Sequence, residues 1–495
     1  MTAGPDAAPA PGRHRVLLLL CLLAMITYLD RVCFGAAARV IASDLGYSDV
    51  SALRWAFTAF ALAYAVFEIP SGWIGDVLGP RSTLVRIVLV WSVCTAATGL
   101  VGWKLGGATL GGLSTLIVIR FLFGAGEAGA FPNITRALHN WFPPGEWSTA
   151  HGFIWMSGRI MGGITPLVWT LLVVGTSETP SLMSWRTAFV LFGVLGLAWC
   201  AIFATTFRDR PTDVRRGSRA PTDRLVPVVD PTLGLPHASE TSGRPTCHGQ
   251  KTETQQGTES SHAVPWRDLL TSPNMWAICL MYFGTSFGWY FNITYLPTYL
   301  EQRYDVLPTS TLGALYKGGP LWIGAAGCLL GGFLGDRLAR LWRDRRRARV
   351  LIGVTGHSLA ALCWFIAPRA TTAHLFFIAV SLTAFFNDLT LSSAWATCQD
   401  VGGRHTAVVS AWMNTVGTFG AAAAGWLTGW LVERAIAARA AQLDVAIDAL
   451  DKETRNLAAI PGYESSFLAY AVVYLLTAAL WTLINPARPV VRDDH

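Results

Sequence analysis

Residues 120–132 read RFLFGAGEAGAFP and follow an apolar run at 113–119. The run marks a helix entering a membrane, and Arg120 and Glu127 then place two charges inside it. A charge near the bilayer centre costs roughly 2.5–3.5 kcal/mol on insertion scales and persists mostly where it lines a cavity and does work. The two residues are seven apart, about two helical turns, so they share one helix face. Gly124, Ala125 and Gly126 lie between them and let a neighbouring helix come close. A structural ion pair that fixes helix packing is the simpler alternative for the same residues.

Composition agrees with a membrane protein. Of 495 residues, 52% are hydrophobic and 14% charged, against about 25% charged in soluble domains. The 38 Lys and Arg exceed the 31 Asp and Glu. They fall between apolar spans, so they read as orientation signals rather than a nucleic-acid footprint. The nine cysteines make no disulfide framework, and Cys247-His248 has no further ligands beside it. There is no zinc spacing, P-loop or nucleophile constellation, so neither an enzyme, a cofactor nor a resident metal is expected.

Hydropathy divides the chain into about twelve spans of membrane length. Six lie within residues 16–207 and six within 271–487. Residues 1–15 read as a disordered tail, 208–270 as a disordered basic linker too polar for a core, and 488–495 as a second tail. Arg81, Arg86 and the arginines of residues 337–349 fall on the linker's side, which the positive-inside rule makes cytoplasmic, together with both termini. The chain is therefore expected to be an all-α, multi-pass plasma-membrane protein of two six-helix bundles, acting as a monomer. Residues 433–464 form a charged outer loop in which Ile436, Ala440, Leu443, Ile447 and Leu450 recur at helical spacing, predicting that span eleven extends into, or is followed by, an amphipathic external helix.

The halves share a motif. Gly72-Trp73-Ile74-Gly75-Asp76 closes span two, and Gly332-Phe333-Leu334-Gly335-Asp336 closes span eight. Matching copies at matching positions indicate an internal repeat. The glycines permit close helix approach, and each aspartate can cap a neighbouring helix N-terminus or meet an arginine. These residues, with Arg81 and Glu68, are the gating candidates.

With these features the chain resembles the major facilitator superfamily, and within it the anion:cation symporter family. Tyr28-Leu29-Asp30-Arg31, Tyr64 to Gly72, Arg120 to Pro132, Trp141-Phe142-Pro143, Tyr295 to Leu300, Ser393-Ala394-Trp395 and Asp400 carry the likeness. The resemblance implies alternating access around an organic anion bound near the midplane. It implies that Asp30 and Glu127 are proton-linked acids with Arg31 and Arg120 as their partners. Asp30 is expected to pair with Arg120, and Glu127 to compete with substrate for Arg31. Tyr28, Tyr64, Ser392, Trp395 and Asn414 follow as substrate contacts by motif matching. Proton-coupled import of a sugar acid, dicarboxylate or sulfonate is the expected function. A uniporter or exporter on the same fold, or a transport-like sensor, is the alternative.

Two departures from the family pattern bear on the substrate. Arg159 stands in span five where sugar-acid members carry glutamine, adding cavity charge that suits a dicarboxylate, sulfonate or phosphonate. Asp388 lies inside span ten among apolar residues, and an Arg159–Asp388 pair between the halves is expected.

Overall fold

The computed structural model describes residues 12–105, 108–175, 180–212, 264–306 and 311–490. The first half contains α1 (Arg13–Asp44), α2 (Arg54–Leu78), α3 (Pro80–Thr98), α4 (Leu113–Glu127), α5 (Ala130–Trp141), α6 (Trp147–Trp169) and α7 (Trp185–Thr206). The second begins with the short α8 (Trp266–Thr271), then α9 (Pro273–Thr294), α10 (Leu296–Tyr304), α11 (Thr311–Trp342) and α12 (Arg345–Ile366). It ends with α13 (Ala373–Gly402), α14 (Thr406–Gln442) and α15 (Lys452–Leu483). Counting α4–α5 and α9–α10 as broken single spans gives the twelve passes of two six-helix bundles.

Nine stretches among the described residues are long and apolar enough to cross a membrane, and one of them, Ala373–Gln442, holds both α13 and α14. The remaining passes are α3, which opens with Arg81 and Arg86, and the aromatic-rich α9–α10. Leu62, Val66, Val118, Phe419 and Leu475 stay exposed on the outside of the helices, as lipid contact requires.

The breaks have local causes. Ala128 turns extended (ψ 133°) and Gly129 takes a left-handed φ of 83°, which separates α4 from α5. A Cβ at Gly129 would meet the Ser71 side chain at 2.5 Å, so the position demands glycine twice over. At the other break Pro297 stands in the first turn of α10, where its missing N–H costs nothing. Among the described residues the one strand pairing is a small antiparallel hairpin, Trp103–Leu105 with Ala108–Leu110, between α3 and α4.

The halves meet along α2 against α14 and α6 against α11. Small residues make these seams. A Cβ at Gly72 would lie 2.8 Å from the Ala407 carbonyl, and one at Gly332 would lie 2.6 Å from the Ser148 carbonyl. The repeated motif therefore supplies the surface on which one bundle rests against the other.

One face of the molecule carries the chain's junctions. Arg13 pairs with Glu146 at 2.6 Å, the Asp209 carboxylate accepts from the Arg81 amide at 2.8 Å, and the Asn274 side chain accepts from the Asn485 amide at 2.9 Å. The described ends of the expected linker are ordered. Asp209 is held as above, Val264 is buried, and residues 266–271 are helical with Leu269 buried, so the linker read as 208–270 is structured at both margins. Its middle, the N-terminal tail through residue 11 and residues 491–495 of the C-terminal tail lie outside the described residues, whereas residues 13–15 of the tail read as 1–15 already belong to α1.

On the opposite face the expected outer helix is an extension of span eleven. The α14 helix runs on to Gln442 and α15 starts at Lys452, so the outer segment is two helix extensions joined by a short turn. Ile436 and Ala440 are buried as the periodicity predicts, but Leu443 and Ile447 are exposed. The helix stops because Asp444 adopts a left-handed φ of 53°, ending the register that would have placed them inward.

Candidate functional site

Between the bundles, at the level of Tyr28 on α1 and Asn414 on α14, lies a cavity of about 190 Å³. That is roughly six times the ~30 Å³ share of one water in the liquid, room for a solute of a few heavy atoms. Asn414 lies eight residues into α14, about 12 Å along its axis from the linker face. Of the expected substrate contacts, Tyr28, Arg31, Tyr64, Arg159 and Asn414 line the cavity. Its other polar wall comes from Thr285, Ser286, Asn387 and Thr418, and Trp289 and Trp155 give it aromatic faces.

The geometry at Arg31 is an unfinished pair. Its Nε donates to Glu127 Oε1 at 2.5 Å, and its guanidinium sits 4.6 Å from the Tyr64 ring centre. Glu127 Oε2 and Arg31 Nη2 are buried without a hydrogen-bond partner. The Arg31 side chain is 29% exposed whereas that of Glu127 is 1% exposed. The arginine thus faces the cavity with donors to spare, and the carboxylate backs it.

Arg159 forms a completed pair. Nε and Nη2 reach Asp388 Oδ2 and Oδ1 at 2.7 and 3.0 Å, a bidentate fork joining α6 to α13 across the halves. Nη1 donates to the Tyr28 hydroxyl at 2.7 Å, and the guanidinium stacks 4.1 Å from the Trp289 ring centre. Asn387 Nδ2 donates to Asp388 Oδ1 at 3.2 Å. The expected Arg159–Asp388 pair is formed.

Three expectations are corrected. The Asp30–Arg120 ion pair does not form in this conformation. Arg120 is instead clasped by the rings of Phe34, Phe60 and Phe123, with centroids at 4.1, 4.6 and 4.7 Å, and neither Asp30 oxygen has a hydrogen-bond partner. Cation–π contact satisfies the guanidinium without a carboxylate. Neither Asp30 nor Arg120 lines the cavity.

Ser392 and Trp395 also stand behind the wall. The Ser392 hydroxyl donates to the Cys328 carbonyl at 2.8 Å, tying α13 to α11, because on this helix face the nearest acceptor is backbone. Trp395 Nε1 donates to the Tyr282 hydroxyl at 3.0 Å, and its ring packs 5.2 Å from that of Trp155, so it supports cavity residues instead of touching solute.

The gating candidates divide. Asp76 accepts from the Ala407 and Val408 amides at 3.1 and 2.9 Å, capping the N-terminus of α14 in the other half. Asp336 accepts from the Ser148 and Thr149 amides at 3.2 and 2.7 Å, capping α6 in the same way. The repeat therefore builds two reciprocal carboxylate caps, each placing negative charge at the positive end of a helix.

Glu68 sits nearer the cavity than expected. Its Oε1 accepts from Asn414 Nδ2 at 2.6 Å and its Oε2 from the Thr415 hydroxyl at 3.1 Å, bridging α2 to α14 two turns from Asp76. Among the described residues Arg81 makes no hydrogen bond or ion pair to the other half. Its side chain donates to the Ala204 carbonyl, because the α3 start faces α7 of its own bundle.

Sequence reading missed Arg136, which donates to the Gly403 carbonyl at 3.0 Å and stands 3.6 Å from Asp76, and Gln399, which donates to the Thr135 carbonyl at 3.0 Å. It also missed the α9 wall, where Tyr282, Thr285, Ser286 and Trp289 recur at steps of three and four, a helical stripe legible in retrospect. Among the described residues, the hydrogen bonds and ion pairs joining the halves lie at cavity level or between the cavity and the linker face.

Known proteins agree with this architecture. The family model described as Major Facilitator Superfamily matches residues 20–425. A relative from Cupriavidus necator named "Probable sulfoacetate transporter SauU" is 32% identical over 85% of this chain and 88% of its own length. The "Hexuronate transporter" of Bacillus subtilis is 27% identical over 85% of this chain and 88% of its own length. Among solved structures, the proton:xylose symporter XylE superposes with a TM-score of 0.67 at 12% identity, covering 97% of each chain, a likeness of fold alone. The chain belongs to the major facilitator superfamily, and within it to the sugar-acid and organic-anion transporters.

Proposed function

We propose that this protein imports a small organic dianion, a sulfonate or dicarboxylate, in symport with protons by alternating access. The single observation that carries the reading is Arg31, which faces the cavity while sharing one N–H with the buried Glu127. A carboxylate already on the guanidinium occupies the place that a substrate oxyanion needs. Two anions on one buried arginine leave an uncompensated charge, which is strongly unfavourable. A proton on Glu127 removes that charge and frees Arg31 for the substrate. Asp30, buried beside this group without a hydrogen-bond partner, passes the same proton to Glu127 in this reading.

The contacts closing the linker face correspond to a state open to the other side. With the linker face and both termini cytoplasmic in the plasma membrane, that state receives solute from outside. Protonation and anion binding neutralise the site, and the Asp76 and Asp336 caps then release so that the cavity opens inward. The cavity's modest volume and its two arginines favour a compact acid. A relative named for sulfoacetate transport supports the same choice.

Purified protein in liposomes tests the reading. An inward proton gradient should drive accumulation of labelled sulfoacetate, and Glu127→Gln should retain exchange of internal for external anion while losing gradient-driven accumulation. Accumulation that survives in Glu127→Gln contradicts the assignment, and uptake indifferent to the gradient in the wild type indicates a uniporter.

A further inference from the structure

Arg31 accounts for one end of a substrate. The same cavity holds a second built site, on α6. Arg159 lies 4% exposed there, with Tyr28 and Trp289 against it. Of its five N–H donors, two go to Asp388 and one to Tyr28, which leaves two in the plane of the guanidinium. Trp289 stacks on its face and so keeps that plane fixed. Asp388 is held from behind by Asn387, which itself lines the cavity.

We propose that Arg159 is a second anion subsite whose resident counter-ion, Asp388, yields to the second acid group of a two-ended dianion, with uptake of one proton by Asp388. The inference rests on the proposed function and names its substrate more narrowly: a short chain with an acid group at each end, one on Arg31 and one on Arg159. The balance is simple. Arg31 with Glu127 and Arg159 with Asp388 each sum to zero charge. A monoanion adds one negative charge and needs one compensating proton, whereas a dianion adds two. The additional proton goes to a carboxylate oxygen of Asp388, whose hydrogen bonds from Arg159 pass to the incoming oxyanion.

The other ionisable groups facing the pair are Tyr28 on α1, Tyr282 on α9, Cys328 on α11 and Tyr474 on α15. All are neutral acids at physiological pH, so Asp388 is the carboxylate of this cluster; Glu68 is bonded instead to Asn414 and Thr415. The exchange also opens a buried bond between α6 and α13, which couples occupancy by the correct two-ended solute to separation of the bundles.

Sulfoacetate and its half-amide, sulfoacetamide, have nearly the same shape and differ by one charge. Their proton counts, measured from reversal potentials in liposomes containing the full chain, should differ by one in the wild type and by zero in Asp388→Asn. The ratio of dianion to half-amide affinity should fall roughly tenfold or more in the Arg159→Gln/Asp388→Asn double variant. That variant leaves no lone buried charge, so it decides the matter if Asp388→Asn alone does not fold. A difference of one proton that persists in Asp388→Asn, or an unaltered affinity ratio in the double variant, overturns the second site while leaving proton symport at Arg31 intact. Uptake of both solutes that ignores the proton gradient in the wild type overturns the parent reading and this one together.

Discussion

The two arginine–carboxylate pairs of the cavity are built from the same chemical groups and differ in every other respect. Arg31–Glu127 lies within one bundle, has a single 2.5 Å contact, and leaves a nitrogen and an oxygen unpartnered. Arg159–Asp388 joins the two bundles, is bidentate, and is completed by Tyr28 and Asn387. An incomplete pair gives up its partner at low cost, because fewer hydrogen bonds are lost when another anion arrives. A complete pair resists exchange and positions its neighbours. Under the proposed function, first encounter with substrate falls to Arg31 and commitment to Arg159.

The largest expected effect is at Arg31. Arg31→Gln removes the cavity's accessible cation, which should lower anion affinity roughly a hundredfold by titration of the purified protein, and it leaves Glu127 buried alone, which should cost about 3–5 kcal/mol of stability. Retention of wild-type affinity would move the primary site elsewhere. At the second pair, Arg159→Asp and Asp388→Arg should each abolish transport and lower thermal stability, and the double reversal should recover both in part. Failure of the double reversal to improve on either single variant would mean that orientation around Tyr28 and Trp289 matters more than the charge pairing.

A smaller effect separates gate from cavity. Asp76→Asn and Asp336→Asn each remove a charged cap worth about 1 kcal/mol. Each should therefore raise, several-fold, the labelling rate of a cysteine placed on the linker face of the α2–α14 or α6–α11 seam. Equal effects sharpen the view that the repeat makes two equivalent locks, and an effect at one alone breaks it. The smallest change is Ser392→Ala, which loses one hydrogen bond to the Cys328 carbonyl, about 1 kcal/mol of stability, with anion affinity unchanged because the hydroxyl is behind the wall.

Much of this was legible in the sequence. Charges inside apolar spans are costly, so Arg31, Glu127, Arg159 and Asp388 stood out, and all four meet in pairs at the cavity. The doubled glycine–aspartate motif offered a helix cap or an arginine contact, and both aspartates make the cap. What was hidden follows from rotation and register. Ser392 and Trp395 sit in residues 387–399 of α13, all of them buried, so the pattern does not say which face meets the cavity. Arg120 looked like a partner for Asp30 because sequence shows charge but not the three phenylalanines, from three helices, that converge on it. Leu443 and Ile447 fit a helical period that one left-handed residue, Asp444, interrupts.

The central claim is that substrate replaces a carboxylate on Arg31 and that the displaced carboxylate takes a proton. Calorimetric titration of the purified protein with sulfoacetate, in buffers of different ionisation enthalpy, counts protons taken up on binding. Uptake of protons in the wild type, reduced by one in Glu127→Gln, is the predicted result. Binding without proton uptake, or the same uptake in Glu127→Gln, would contradict the account.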